Sequence, residues 1–258
     1  MSTVAGIGTI TTERDLLILR TLVIARVLDS EQIRNVGRFS SLRRTNRRLL
    51  KLVRAGLLKR WFVGTKSGGQ KALYGLSPRG ANLIGETTQG LIPWKQNALI
   101  TVSQFLGHQQ AVNDVFLRVR VGTLPQGFSC AQWTRPRLPL SSSVPLIPDG
   151  YFEIAEEGVV HPLFLEVDLG TESSRTWKRK TELYLQFATS REAESLQPKR
   201  LRVIVLFPSV RRLQSIRQVI AKRTQKLFWL STMDEVRSQG LWAPIWLRPV
   251  GQERQRLL

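Results

Sequence analysis

Leu16, Leu19, Leu22 and Val23 follow one another at the spacing of one helix face. Thr12-Glu-Arg-Asp15, just ahead of them, has the residues of a capping box, which predicts a first helix over about 12–26. Ser30 is placed to cap a short second helix, EQIRNVG, that Gly37 ends. Ser40 or Ser41 opens a third, LRRTNRRLLKLVRAG, stopped at Gly56. Its apolar stripe is Leu42, Leu49, Leu52 and Val53, bridged by Thr45 or Asn46. Arg43, Arg44, Arg47, Arg48, Lys51 and Arg54 fill the other positions, so one face is apolar and the remainder cationic. LLKRWFV and QKALYGLS then read as two strands around GTKSGG, a hairpin with a Gly-rich basic tip. SPRGANLIG, residues 77–85, predicts a short helix with Pro78 at its first position.

The rhythm changes after that. GETTQGLIPWKQN, residues 85–97, has Gly, Thr and Pro but no clear period, and marks a boundary. The expected layout is a DNA-binding domain at 1–88, a linker at 89–102, an α/β domain at 103–250 and a basic tail at 251–258. In the α/β domain, SQFLGHQQAVNDVFLRVRVG reads as a helix with Phe105, Ala111, Val112, Val115, Phe116 and Val119 inward. FSCAQWT, PDGYFEIA, VVHPLFLEVDLG and KRLRVIVLFP read as strands, and a Pro/Ser loop follows the first. SRTWKRKTELYLQFATS and VRRLQSIRQVIAKR read as helices, and KLFWLST and LWAPIWLR as closing strands. The order is helix, three strands, helix, strand, helix, strand, which places the fold in the α/β class, α+β overall.

Charge narrows the choice of partner. The 258 residues include 39 Lys+Arg and 19 Asp+Glu, a formal net charge of +20. That exceeds the ~2–8 usual for small soluble domains and favours polyanions, because cations that neutralise phosphates release condensed counterions. Residues 1–90 have a net +11 and residues 91–258 a net +9, so the first third is the more densely cationic. Double-stranded DNA is the expected partner. The candidate contacts are Arg43, Arg44, Thr45, Asn46, Arg47, Arg48, Lys51 and Arg54 on the third helix and Arg60, Lys66 and Lys71 on the hairpin. Arg bonds guanine bidentately or grips phosphate, and Asn and Thr reach base edges. One cysteine, Cys130, excludes an internal disulfide framework. No apolar run reaches 18 residues and the N-terminus lacks a secretory pattern, so no membrane span and a cytoplasmic, nucleoid- or plasmid-associated location are expected.

Acidic residues stand out in so basic a chain. Pro148-Asp149-Gly150 opens one strand, and Glu166 and Asp168 lie two apart on the next, hence on one face. Three converging carboxylates suit a hard divalent ion such as Mg²⁺. The alternative is structural ion pairing of Glu166 and Asp168 with Arg175, Lys178 or Lys180. Gly170-Thr171-Glu172-Ser173 reads as a strand-to-helix turn with a capping Thr or Ser. His108 and His161 lack ligand spacing, Cys130 reads as a core thiol, and Trp229, Trp242 and Trp246 as core or interface.

Three helices followed by a basic hairpin resemble the winged helix-turn-helix, in which the third helix enters the major groove and the wing touches flanking backbone. Pro148-Asp149 and Glu166 resemble the PD-(D/E)xK nuclease core, whose acids hold metal and whose Lys helps activate water. Asp168 stands where that Lys is expected, and Lys178 or Lys180 on the following helix would have to supply the amine. RRTNRRLLKLVRAGLLKR, YGLSPRGANLIG, GHQQAVNDVFLRV, IPDGYFEI and LEVDLGTESSRTWKRKTELY together resemble the replication-relaxation family of plasmid and mobile-element proteins, over roughly residues 12–207. The resemblance implies DNA binding linked to plasmid replication, mobilisation or origin relaxation. The expected function is a DNA-binding protein acting in replication, mobilisation or regulation, with its α/β domain used for self-association as a homodimer or for contact with a replication or mobilisation protein. The second function it leaves open is a metal-dependent DNA endonuclease or nickase, with Asp149, Glu166 and Asp168 as ligands.

Overall fold

Thr12 starts the first helix through the expected capping box: its hydroxyl accepts from the Asp15 amide, and the Asp15 carboxylate accepts from the Thr12 amide at 2.6 Å. The computed structural model describes residues 11–64, 68–100, 104–196 and 200–258, which divide into two compact units, Met1–Asn113 and Asp114–Leu258.

In the first unit, α1 (Glu13–Ala25) buries Ile18, Leu19, Leu22 and Ala25. Leu16 and Val23, expected inward, are only half-buried. The two-residue strand β1 (Leu28–Asp29) leads into α2 (Ser30–Val36). The cap of α2 is Asp29, not Ser30: Asp29 and Gln32 exchange side chain-to-amide bonds at 2.8 and 3.0 Å. Ser41 caps α3 (Leu42–Arg54), and Gly56, at φ +71°, takes the left-handed turn that ends it. β2 (Leu58–Gly64) and β3 (Gln70–Leu76) form the expected hairpin, with Trp61 opposite Leu73, and β1 adds to β3. α4 (Pro78–Leu83) follows with Pro78 at its first turn. The expected order of a winged helix-turn-helix, three helices and then a hairpin, is the order observed.

Of the stretch read as a linker, 89–102, the described residues pack in part rather than hanging free. Ile92 is buried with Val27, Trp61, Val63, Leu73 and Leu106, and Trp94 meets Trp61 edge-on at 5.3 Å. β4 (Leu99–Ile100) pairs in parallel with β2, giving a sheet in the order β1-β3-β2-β4. The apolar residues were visible in the sequence, but without a period they gave no element. Further along, in α5 (Gln104–Arg120), Asn113 is buried and donates to the carbonyls of Ala25 and Val27 at 2.9 and 2.6 Å, closing the exit of α1.

The second unit is α/β. β5 (Phe128–Thr134), β6 (Gly150–Glu156) and β7 (Val159–Val167) form an antiparallel meander. α6 (Ser174–Ala188) crosses to β8 (Arg202–Phe207) and α8 (Val210–Ala221) crosses to β9 (Phe228–Thr232), and β7, β8 and β9 are mutually parallel. The short α7 (Arg191–Glu194) lies between α6 and β8. The near-continuous apolar runs of β7 and β8 fit strands covered on both faces. Phe164, Val203, Val205 and Phe207 pack with Trp177, Tyr184, Leu213 and Ile216 in one core.

Two features were missed. α9 (Met233–Gln239) follows β9, opened by a Thr232–Glu235 capping box within the segment read as strand and loop. The 251–258 tail is not loose: β11 (Arg254–Gln255) pairs with β10 (Trp246–Leu247), Arg254 bonds Glu235 at 2.6 Å and Leu257 is buried. The complete sheet runs β11-β10-β9-β8-β7-β6-β5. Among the described residues, no helix is long and apolar enough to cross a membrane.

One ion pair ties α3 to α1. Asp15 is fully buried, and the Arg48 guanidinium grips both of its oxygens. Burial alone would raise the Asp15 carboxyl; the hydrogen bonds from Arg48 and Thr12 outweigh it and hold the group low. Removing Arg48 strands a buried carboxylate, so Arg48→Ala is expected to lower stability by about 3 kcal/mol in urea unfolding. Arg47→Ala, one position away on an exposed face, should change it by less than ~0.5 kcal/mol.

Candidate nucleic-acid interface

The burial of α3 divides its residues cleanly. Thr45, Leu49 and Leu52 face inward, and Arg48 sits at the edge of that stripe, bound to Asp15. At ~100° per residue, Asn46, Arg43, Arg54, Arg47, Lys51 and Arg44 then share one arc of roughly 160°. All six are exposed. Arg44 donates to the Ser40 hydroxyl at 3.1 Å. Arg43, Arg47, Lys51 and Arg54 make no ion pair among the described residues. The six side chains fit a major-groove or phosphate-gripping surface.

Four of the expected contacts are engaged elsewhere. Thr45 is buried and its hydroxyl donates to the Ser41 carbonyl at 3.0 Å, because its position falls in the apolar stripe. Arg48 neutralises Asp15. Arg60 donates twice to the Asn97 side chain, at 3.1 and 2.9 Å, and stacks over Phe62. Lys71 pairs with Asp29 at 2.5 Å. Lys66 lies outside the described residues.

The carboxylates of the α/β unit sit where β7 ends. Asp149 accepts from the Val167 amide at 2.8 Å, fixing the start of β6 against β7. Glu166 is buried and faces α6: its Oε2 accepts from Lys180 Nζ at 2.8 Å and its Oε1 from the Tyr184 hydroxyl at 2.6 Å. Lys180 also reaches Glu172 at 2.6 Å. Asp168, just beyond β7, accepts from the Gly170 amide at 2.5 Å, the Trp177 indole at 2.7 Å and the Arg212 guanidinium at 2.7 and 3.0 Å. Lys180 thus joins the cluster as the sequence allowed. Lys178 does not; it is exposed one position past the buried Trp177.

Electrostatics follows from this burial. Loss of solvent pushes the Glu166 carboxyl up to about 7, against the pull of Lys180, and the Asp149 charge adds to the rise. Burial alone would lower Lys180, but the Glu166 and Glu172 carboxylates hold its ammonium well above the usual lysine range. Burial and the neighbouring Glu166 raise the Tyr184 phenol.

These acids do not fit a magnesium ion. That ion asks for about six oxygens in near-octahedral array. Both Glu166 oxygens and both Asp168 oxygens are bonded to protein donors, and an ammonium stands against Glu166 where a cation would be held. Among the described residues, no three His, Cys, Asp or Glu side chains converge to hold a metal. The reading of Asp149, Glu166 and Asp168 as a shared ligand set is therefore corrected toward its alternative, a structural ion-pair network. Tyr184, Trp177 and Arg212, which complete that network, were not singled out for it from the sequence. Tyr184 lies one helical turn past Lys180, a spacing that was legible. Arg212, 44 residues from Asp168 in the chain, left no local signal.

Residues 19–199 match the model of the replication-relaxation family. The chain belongs to that family. The match extends across the α3 surface and the whole carboxylate cluster except Arg212. No curated protein matches this replication-relaxation chain. Two solved structures of the restriction endonuclease FokI are similar in fold search: one bound to DNA, at 12% identity over 93% of this chain and 46% of that one, with a TM-score of 0.29. The other matches at 12% identity over 88% and 44%, again with a TM-score of 0.29. This chain spans less than half the length of either, and a likeness at that score carries no argument.

The raised Glu166 carboxyl gives a signed pH effect. In the unfolded chain the group ionises near 4.5, but in the fold it resists until about 7. Stability from this group is therefore full below pH ~4.5 and declines as pH rises toward 7, by about 3 kcal/mol. Glu166→Gln should remove that slope while keeping an acceptor for Tyr184. Urea midpoints measured at several pH values between 4.5 and 7.5 check it, and parallel slopes for the two proteins would refute it.

Proposed function

We propose that this replication-relaxation protein binds duplex DNA of a plasmid or mobile element through α3, and acts in replication or mobilisation of that element. The observation that carries the reading is the arc of α3 on which Arg43, Arg44, Arg47, Lys51 and Arg54 lie together beside Asn46 without an acidic partner among the described residues. Cations so close on one helix repel each other, and a polyanion relieves the repulsion. The arginines hold phosphates and set the register, while Asn46 has the chemistry for an adenine edge. The hairpin β2–β3 flanks this helix as a wing, with Arg60 and Lys71 already bound within the protein. In this reading the α/β unit serves self-association or contact with a replication or mobilisation protein. A two-fold dimer would present two α3 helices to paired half-sites. The endonuclease reading is the weaker one, because two of its three carboxylates, Glu166 and Asp168, are engaged by Lys180, Tyr184, Trp177 and Arg212.

Salt dependence tests the proposal. Affinity for duplex DNA should fall with a log–log slope near −0.9 per phosphate contact. Replacing Arg43, Arg47 and Lys51 together by alanine should flatten the slope by about 3 and weaken binding at least ~10-fold at moderate salt. An unchanged binding curve would overturn the role of α3. Supercoiled plasmid incubated with Mg²⁺ or Mn²⁺ should be shifted in mobility but not nicked; nicking lost in Glu166→Gln would restore the endonuclease.

A further inference from the structure

At the ends of β7 and β8 opposite Glu166 and Asp168, cations outnumber acids among the described residues. β8 begins at Arg202, opposite Leu163 of β7, and finishes beside Asp168, whose amide donates to the Leu206 carbonyl at 2.9 Å. At ~3.3 Å per residue, the two ends are on the order of 13 Å apart. Arg202 Nη1 donates to His161 Nδ1 at 2.9 Å, which leaves the imidazole neutral with its proton on Nε2. The guanidiniums of Arg202 and Arg248 both lie over the Trp229 ring, at 5.6 and 4.3 Å. Arg200 stands next to them, its carbonyl accepting from Arg202 at 3.4 Å. Phe128 borders His161 at 6.3 Å.

This group is electrically incomplete. Burial and the charges of Arg248 and Arg200 push Arg202 down from the usual arginine range, and burial does the same to Arg248. Burial and the Arg202 and Arg200 charges also lower His161, against a smaller upward pull from Glu156. Glu156 is the acid here, 3.8 Å from His161 Nε2 and 43% exposed, too distant for a hydrogen bond. Two buried donors, Arg248 Nη1 and His161 Nε2, have no hydrogen-bond partner among the described residues. Stacking on Trp229 offsets part of the desolvation of a guanidinium but adds no countercharge. Three like charges and two orphaned donors on one side of a sheet call for an oxyanion with several acceptor oxygens. Arginine forks match phosphate bidentately.

We propose that Arg200, Arg202 and Arg248, set around Trp229 and His161, form a second anion site that takes a phosphate group of the nucleic-acid backbone. It is separate from α3 and does not depend on that helix binding DNA. Nucleic acid is the source we infer, because the chain is strongly cationic and Arg200, at the edge of the cluster, is exposed. A small phosphate compound shares the chemistry and is an arm of the test.

His161 is a built-in reporter, since the chain has two histidines and His108→Gln assigns the signals. The full chain with Arg43, Arg47 and Lys51 replaced by alanine is titrated at constant ionic strength, once with a short DNA duplex and once with inorganic phosphate. The duplex should shift the His161 ring resonance. The pair Arg202→Gln and Arg248→Gln should abolish that shift and, in the otherwise unaltered chain, flatten the salt slope of duplex binding by about 2. Arg200→Gln, on an exposed side chain that leaves the core alone, should flatten it by about 1. A shift with phosphate but not with duplex overturns nucleic acid as the source. No shift with either, or a duplex shift that survives in both variants, overturns the site. Failure of the α3 reading shows separately, as undiminished duplex binding by the triple alanine chain.

Discussion

Acids are scarce in this chain, and where they sit decides which cations are left to act. Nineteen carboxylates face 39 cationic side chains. Several acids lie at or near buried positions, against a cation from another element. Asp15 holds Arg48, Glu166 and Glu172 hold Lys180, Asp168 holds Arg212, and Glu235 holds Arg254. Each of those cations is thereby removed from the surface pool. Of the cations that remain, two groups matter here: the exposed row along α3 and the partly buried cluster at the start of β8.

These pairs fix geometry more than they add stability. A buried ion pair loses much of its attraction to desolvation, and an apolar pair of the same volume often does as well. The apolar contacts of the two cores carry the folding energy: Trp61 and Leu73 in one, Phe164, Trp177, Tyr184 and Phe207 in the other. The ion pairs choose among arrangements that those apolar surfaces would tolerate. Arg48 sets the rotation of α3 about its own axis, so that Arg43, Asn46 and Arg47 face solvent together. Glu166 and Asp168 likewise set α6 and α8 against the end of β7, through Lys180, Tyr184, Trp177 and Arg212.

What was legible in the sequence was local. The capping box at Thr12, the Ser41 cap, Pro78 at a helix start and the Gly56 stop all work over a few residues, and all are present in the fold. The replication-relaxation motifs were legible for the same reason, as runs of neighbouring residues. Non-local facts were hidden. Helical spacing places Arg48 near the apolar stripe of α3, but nothing in spacing names Asp15, 33 residues earlier, as its partner. Three carboxylates in a basic chain suggested an ion because the cations that neutralise Glu166 and Asp168 lie on two later helices. The strands β4 and β11, two residues each, exist only by pairing and have no pattern of their own. The stretch before α5 looked like a linker because its apolar residues, Ile92, Trp94, Ala98 and Ile100, fill gaps against Trp61 and neighbours in no regular repeat.

The two ends of the parallel strands in the α/β unit show the same logic in opposite directions. At the ends of β7 and β8 where Glu166 and Asp168 lie, Glu166, Glu172 and Asp168 are each paired with a cation, Lys180 or Arg212. At the other end, Arg202 has a neutral imidazole and an indole face in place of a carboxylate. A fold under selection for stability alone would gain by moving one acid from the exposed surface to that end, and Glu156, on the adjacent strand, stops short of it at 3.8 Å from the nearest ring nitrogen. A partly buried cation cluster left in that state costs the free protein stability, because each added guanidinium disfavours the others. The cost is recovered only when an anion binds, and that makes the cluster a ligand site rather than a structural element.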